Sequence, residues 1–112
     1  YSLMVTSANE SAIILGEHIS GSEEAFCMLM NDKAKELGCK DTHFVNPNGI
    51  HKEEHYSTAY DLALIARYAM QNETFREVVK TTSYSLPSTD SYSGQERHFN
   101  NTNNLILPDN YY

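Results

Sequence analysis

The sequence predicts a mainly α domain carrying one small β-hairpin. Three observations lead there. Apolar residues recur at helical spacing behind good N-cap residues in several segments, alternation is confined to a short stretch after Lys80, and 112 residues suit one domain with a modest core. The clearest helix spans 22–38. Ser22 is placed to cap it, Glu23 and Glu24 suit the positive end of the helix dipole, and Gly38 can end it in a left-handed conformation. Phe26, Leu29, Met30, Ala34 and Leu37 then share its inward face.

A second helix is expected over 58–70. Thr58 caps it, Asp61 takes the capping-box position, and Ala59, Leu62, Ala63, Ala66, Ala69 and Met70 make its buried stripe. Asn72 caps a short helix with Phe75 and Val79 one turn apart, and 10–19 reads as helical with Ile14 and Leu15 inward. Asn46-Pro47-Asn48-Gly49 is turn chemistry, so 40–57 forms a long loop, a length that is often functional in a small domain. Ser83-Tyr84-Ser85-Leu86 alternates until Pro87. Arg97-His98-Phe99-Asn100 can return as its partner, giving a hairpin within 82–100 whose tip, 88–96, is loose and polar.

Composition excludes several classes of function. Hydrophobic residues make up 40% and charged residues 21%, the balance of a folded soluble domain. A net charge of −7 speaks against sequence-independent nucleic-acid binding, which needs clustered Lys and Arg. No uncharged apolar stretch nears the ~20 residues of a membrane-crossing helix, and no signal-peptide pattern is present. The chain opens at Tyr1 without Met, in an apolar segment, and is expected to be a piece of a larger protein. Cys27 and Cys39 are too few for a disulfide framework; two small buried thiols is the plain reading, and a bond between them the alternative.

Two constellations could carry chemistry. His51-Lys52-Glu53-Glu54-His55 fits an inverted zinc-protease pattern by letter, but that chemistry needs a helix to project both imidazoles from one face. The segment follows a Pro-Gly turn and has no apolar stripe, so a solvated loop is expected. A finger built from Cys27, Cys39, His43 and His51 lacks the close cysteine pair of such sites. No metal or other cofactor is therefore assigned. The other constellation is Ser7-Ala8-Asn9, between the apolar runs Leu3-Met4-Val5 and Ala12–Leu15. A Ser and an Asn two residues apart on a short link can turn both polar groups into one cleft; taken alone, Ser7 could equally cap the helix that follows.

The triplet has company. Ser7–Ala12, Gly21-Ser22, Ala25-Phe26, Leu29-Met30-Asn31, Ala34–Gly38, Thr42-His43-Phe44, Asn48-Gly49-Ile50, Tyr56–Ala59, Asp61–Ile65 and Asn101–Leu105 occur in one order. That order resembles the low-molecular-weight penicillin-binding proteins, the serine-type D-alanyl-D-alanine carboxypeptidases of peptidase family S11. The resemblance implies the helical lobe of the penicillin-binding/β-lactamase-like transpeptidase fold, without its main sheet. It implies that Ser7 and Asn9 are catalytic: the Ser hydroxyl relays a proton to and from the attacking serine or the leaving amine, and the Asn amide holds the substrate's peptide carbonyl. Asn48 falls in the loop bordering the cleft and is a substrate-binding candidate, although the family often has His there. Glu10 stands where many relatives have Asp, and Thr102 where some have Arg.

Two family motifs are absent. No Ser in the chain has Lys three residues later, and the only look-alike of Lys-Thr-Gly, Lys80-Thr81-Thr82, lacks the glycine and precedes Asn101-Thr102-Asn103. The resemblance therefore implies a nucleophile upstream of Tyr1 and a Lys-Thr-Gly strand past Tyr112, so that the piece alone is inactive. The parent is expected to trim the terminal D-Ala of peptidoglycan stem peptides through an acyl-enzyme and to bind β-lactam antibiotics, outside the cytoplasm at the cell envelope. A D,D-endopeptidase of the same fold, or a catalytically dead binding or scaffold module, are the alternatives. Apolar surface around Leu3–Val5 and Leu105–Leu107 is expected to favour self-association of the piece.

Overall fold

The computed structural model describes residues 1–89 and 94–106. Five helices come first: α1 Ser2–Thr6, α2 Asn9–Ser20, α3 Glu23–Glu36, α4 Ala59–Ala69 and α5 Glu73–Val79. A hairpin of β1 Ser83–Leu86 and β2 Arg97–Asn100 follows, then a 3₁₀ turn at Asn104–Ile106. The strands are antiparallel, with Ser83 opposite Asn100 and Leu86 opposite Arg97. Of the expected hairpin tip, residues 90–93 lie outside the described residues.

Helix boundaries follow the caps. The Ser22 hydroxyl accepts from the Ala25 N–H at 3.1 Å, the Thr58 hydroxyl from Asp61 N–H at 3.1 Å, and the Asn72 amide oxygen from Phe75 N–H at 2.9 Å. At the far end of α3, Gly38 adopts φ +86°. Its N–H bonds the Lys35 carbonyl while Cys39 N–H reaches back to Ala34, the paired closure of a Schellman turn.

The buried faces differ from those expected. Among described residues the apolar core is Val5, Ala12, Cys27 and Ala34. On α2 the inward residues are Ala12 and Gly16, whereas Ile14 and Leu15 are exposed. Small residues win here because the Phe26 side chain of α3 lies directly against Gly16 and leaves no room for a larger group. On α3, Cys27 is buried where Leu29 was expected.

On α4, Leu62 and Met70 are exposed, as are Ala59, Ala63 and Ala66. The face turned toward α3 carries Asp61, Ile65 and Ala69, one turn apart each; Ile65 and Ala69 close a cleft with Met30, Ala34, Leu37 and Phe44. The helix has two apolar faces, and the described chain covers only one of them. Asp61 also departs from the capping box. Instead of reaching back to the Thr58 N–H, its carboxylate accepts from Asp41 N–H at 2.8 Å and from the Thr42 hydroxyl at 2.7 Å.

Helix α1 packs against α2, α5 and β2, and Tyr1 stacks on Tyr84 with ring centroids 3.6 Å apart. Val5 is fully buried and Leu3 half-buried, while Met4 and Leu105 are exposed; the expected apolar surface is therefore only partly at these positions, and Leu107 lies outside the described residues. No helix among the described residues is long and apolar enough to cross a membrane.

Candidate active-site wall

Five residues are too few to hold a helix by propensity, so α1 depends on its surroundings. Val5 anchors it in the core, and the Thr6 hydroxyl returns to the Ser2 carbonyl at 2.8 Å. Ser7 then ends the helix with φ +56° and ψ +40°, the only non-glycine residue with positive φ among those described. An L-residue in this left-handed region is disfavoured by about 1–2 kcal/mol, because its Cβ crowds the following carbonyl. Strain of this kind persists only where the surrounding structure enforces it.

The reversal at Ser7 lets α2 begin two residues later. Ala8 occupies the N-cap position of α2 and offers no side-chain cap, so the reading of Ser7 as a cap for that helix does not hold. Ser7 and Asn9 are both exposed, and neither side chain has a hydrogen-bond partner among the described residues. A hydroxyl that can donate and accept and an amide that can donate are thus presented two residues apart, unengaged. A separate apolar groove, lined by Tyr1, Leu3, Met4, Leu15, Phe75 and Val78, opens where α1 meets α2 and α5.

Asn48 lies on a different element, the loop between α3 and α4. Its amide oxygen accepts from Ile50 N–H at 3.1 Å, a turn within the loop itself. The residue that shapes this turn is Asn46, which is buried: its oxygen accepts from Gly49 N–H and its amide donates to the Ile50 carbonyl, both at 2.7 Å. Asn31 of α3 grips the same loop by its backbone, donating to the Phe44 carbonyl and accepting from Phe44 N–H, each at 2.8 Å. Thr42 joins Ser57 at 2.8 Å and Asp61, closing the loop's ends onto α4. The Thr42 hydroxyl, helped by the Asp41 and Lys40 N–H groups, holds the Asp61 carboxyl below the usual carboxylate value. These asparagine clamps carry no sequence pattern that announces them; Asp61 does, but as a cap.

The histidine pattern has no helix. Residues 51–55 are loop and turn, and His55 Nδ1 accepts from Val45 N–H at 3.1 Å, which occupies one of the nitrogens a metal would need. Burial, then His43, His51 and Lys52, press the His55 pKa below its ordinary value. Lys80-Thr81-Thr82 is no edge strand either. Lys80 caps the end of α5 and pairs with Glu77 at 2.7 Å, and the Thr81 hydroxyl donates to the Glu77 carbonyl. Both cysteines are free thiols, Cys27 buried and Cys39 half-buried. Burial raises both, so neither is an activated nucleophile.

A mainly helical lobe with one small hairpin that presents a strained Ser-x-Asn link defines the class: the helical part of a penicillin-binding, DD-peptidase fold. In the crystal structure of the Streptomyces K15 DD-transpeptidase, 96% of this chain superposes on 44% of that protein, with a TM-score of 0.86 at 34% identity. The family model for D-alanyl-D-alanine carboxypeptidase, peptidase family S11, matches residues 1–112. The chain belongs to that family. It is 41% identical over 105 residues to the D-alanyl-D-alanine carboxypeptidase DacF of Bacillus subtilis, covering 93% of this chain and 26% of that protein. It is also 38% identical over 117 residues to the D-alanyl-D-alanine endopeptidase of Escherichia coli, covering 96% of this chain and 34% of the relative. The chain thus spans between about a quarter and a half of the length of these three proteins.

Proposed function

We propose that this chain forms one wall of the active site of a serine-type D-alanyl-D-alanine carboxypeptidase, which removes the terminal D-Ala from peptidoglycan stem peptides through an acyl-enzyme at the cell envelope. The observation that supports this most is Ser7, held left-handed against its own preference, two residues before Asn9, with both side chains exposed and without a hydrogen-bond partner among the described residues. In this reading the Ser7 hydroxyl passes a proton between the nucleophile and the leaving amine, and the Asn9 amide donates to the carbonyl of the scissile peptide. Asn48 contributes to the cleft border through its turn. The nucleophile and the substrate-carboxylate anchor come from the rest of the whole protein, so the isolated chain is inactive toward peptides and penicillins. The endopeptidase relative keeps cross-link cleavage as the second reading, since the same chemistry acts on either leaving group.

The test is acylation of the full-length protein by a fluorescent penicillin. Ser7→Ala and Asn9→Ala should each slow labelling by roughly 10²–10⁴, the usual worth of one proton-transfer or orienting group. Labelling at the wild-type rate in Ser7→Ala would overturn the assignment. The isolated chain, with Ile14, Leu15, Ile19, Leu62 and Met70 exposed, should self-associate; a monodisperse monomer in light scattering would speak against that.

A further inference from the structure

We propose that Asn101 is a positioning residue for the Ser7–Asn9 link. This rests on the active-site reading above but is carried by separate observations. The last carbonyls of a helix have no partner within it, and in α1 the Val5 carbonyl sits two residues before Ser7. It accepts from the Thr102 N–H at 3.0 Å, so a segment nearly a hundred residues away fixes the end of the helix that launches the link. Asn101 decides where Thr102 stands. Its own N–H donates to the Thr82 carbonyl at 2.8 Å, its side-chain amide donates to the Thr81 carbonyl at 2.8 Å, and its side-chain oxygen accepts from Asn103 N–H at 2.8 Å.

One half-buried side chain therefore ties the end of α5 to the backbone leaving β2, at the point where that backbone grips α1. Hydrogen bonds from the two flanks of the hairpin meet there. Ser7, already strained, has no side-chain bond of its own among the described residues to hold it, and its position follows that of the Val5–Thr6 turn. Loosening Asn101 lets that turn shift, carrying Ser7 and Asn9 out of register with whatever they face. A misplacement of about 1 Å in a reacting geometry can cost on the order of a hundredfold in rate.

The experiment measures penicillin acylation of the full-length protein by stopped flow, separating the acylation rate constant, the dissociation constant and the amplitude, which counts folded sites. Asn101→Ala should lower the rate constant about tenfold to a hundredfold at near wild-type amplitude and dissociation constant. Asn101→Asp keeps the acceptor for Asn103 N–H and loses the donor to Thr81; it should fall between wild type and Asn101→Ala, and it decides the matter if the alanine variant does not fold. A purely structural role lowers the amplitude and leaves the rate constant unchanged, and that result overturns the proposal, as does a wild-type rate in both variants. Ser7→Ala measured alongside keeps the two readings apart. If it acylates normally, the active-site reading fails; if it is slow while Asn101→Ala and Asn101→Asp are fast, only the positioning role fails.

Discussion

Replacing Gly16 by Ala sets two calculable effects against each other. In the middle of a helix Ala is worth about 1 kcal/mol more than Gly, because Gly has more backbone freedom to lose. At Gly16, however, the added Cβ would stand 2.9 Å from Phe26 Cδ1, 3.1 Å from its Cγ and 3.2 Å from its Cβ. Favourable carbon–carbon contact begins near 3.5 Å. A ring flip cannot clear the space, since the Phe26 Cβ is itself too close, so α2 and α3 must separate. Overpacking of this kind costs about 1–3 kcal/mol. Subtracting the helix gain leaves a net loss of about 0–2 kcal/mol.

Urea unfolding of the full-length protein followed by far-UV circular dichroism gives the comparison, read at constant m-value. Gly16→Ala should lower the midpoint in the wild-type background and raise it in a Phe26→Ala background, where only the helix gain remains. The coupling between the two sites should then be about 1–3 kcal/mol. A gain of about 1 kcal/mol from Gly16→Ala with Phe26 intact would refute the reasoning, because it would mean that the helices are not in contact there.

Ser7→Gly should raise stability by up to about 1 kcal/mol by releasing the left-handed strain, while acylation of the full-length protein falls as in Ser7→Ala; a clear loss of stability would show that the turn is not strained. Ser22→Ala should cost about 1 kcal/mol through loss of the α3 cap, seen as a lower unfolding midpoint, and an unchanged midpoint would discount that bond. His55 accepts from Val45 N–H as a neutral ring, and its folded pKa lies below the usual ~6.5. Its contribution is therefore complete above about pH 6.5 and is lost as the pH falls through the lower folded value. Between pH 7.5 and 5 the wild-type protein should lose more stability than His55→Gln, and parallel curves would rule this out.

What the sequence reveals divides along a physical line. Caps are local: Ser22, Thr58 and Asn72 each bond an N–H three residues on, and each is legible from residue type and spacing alone. Faces are not local. Ile14, Leu15 and Leu62 fall on apolar stripes, yet the described chain buries Ala12, Gly16 and Ile65 more deeply, because periodicity says a face is apolar without saying which neighbour reaches it. The Ser7-Ala8-Asn9 link was legible as a motif through its order among the other family-like segments. Its left-handed backbone was not, since nothing in Thr6-Ser7-Ala8 signals positive φ as Gly or Asn would.

The same line separates how the two parts of the candidate site keep their shape. The loop between α3 and α4 is built from polar clamps that close on backbone groups of the chain itself: Asn31 on Phe44, Asn46 on Gly49 and Ile50, Asp61 on Asp41, and His55 on Val45. Such bonds saturate buried donors and acceptors in place, so the loop is ordered without any further layer packing on it. The helices depend instead on apolar faces that remain open along α2 and α4. Ser7 belongs to neither regime. Its strain is held by one buried side chain, Val5, and one backbone bond from Thr102, so the link is the point where small changes in packing should be felt first. On the active-site reading proposed above, the wall keeps its geometry only while the hairpin that carries Asn101 and Thr102 stays seated on α1.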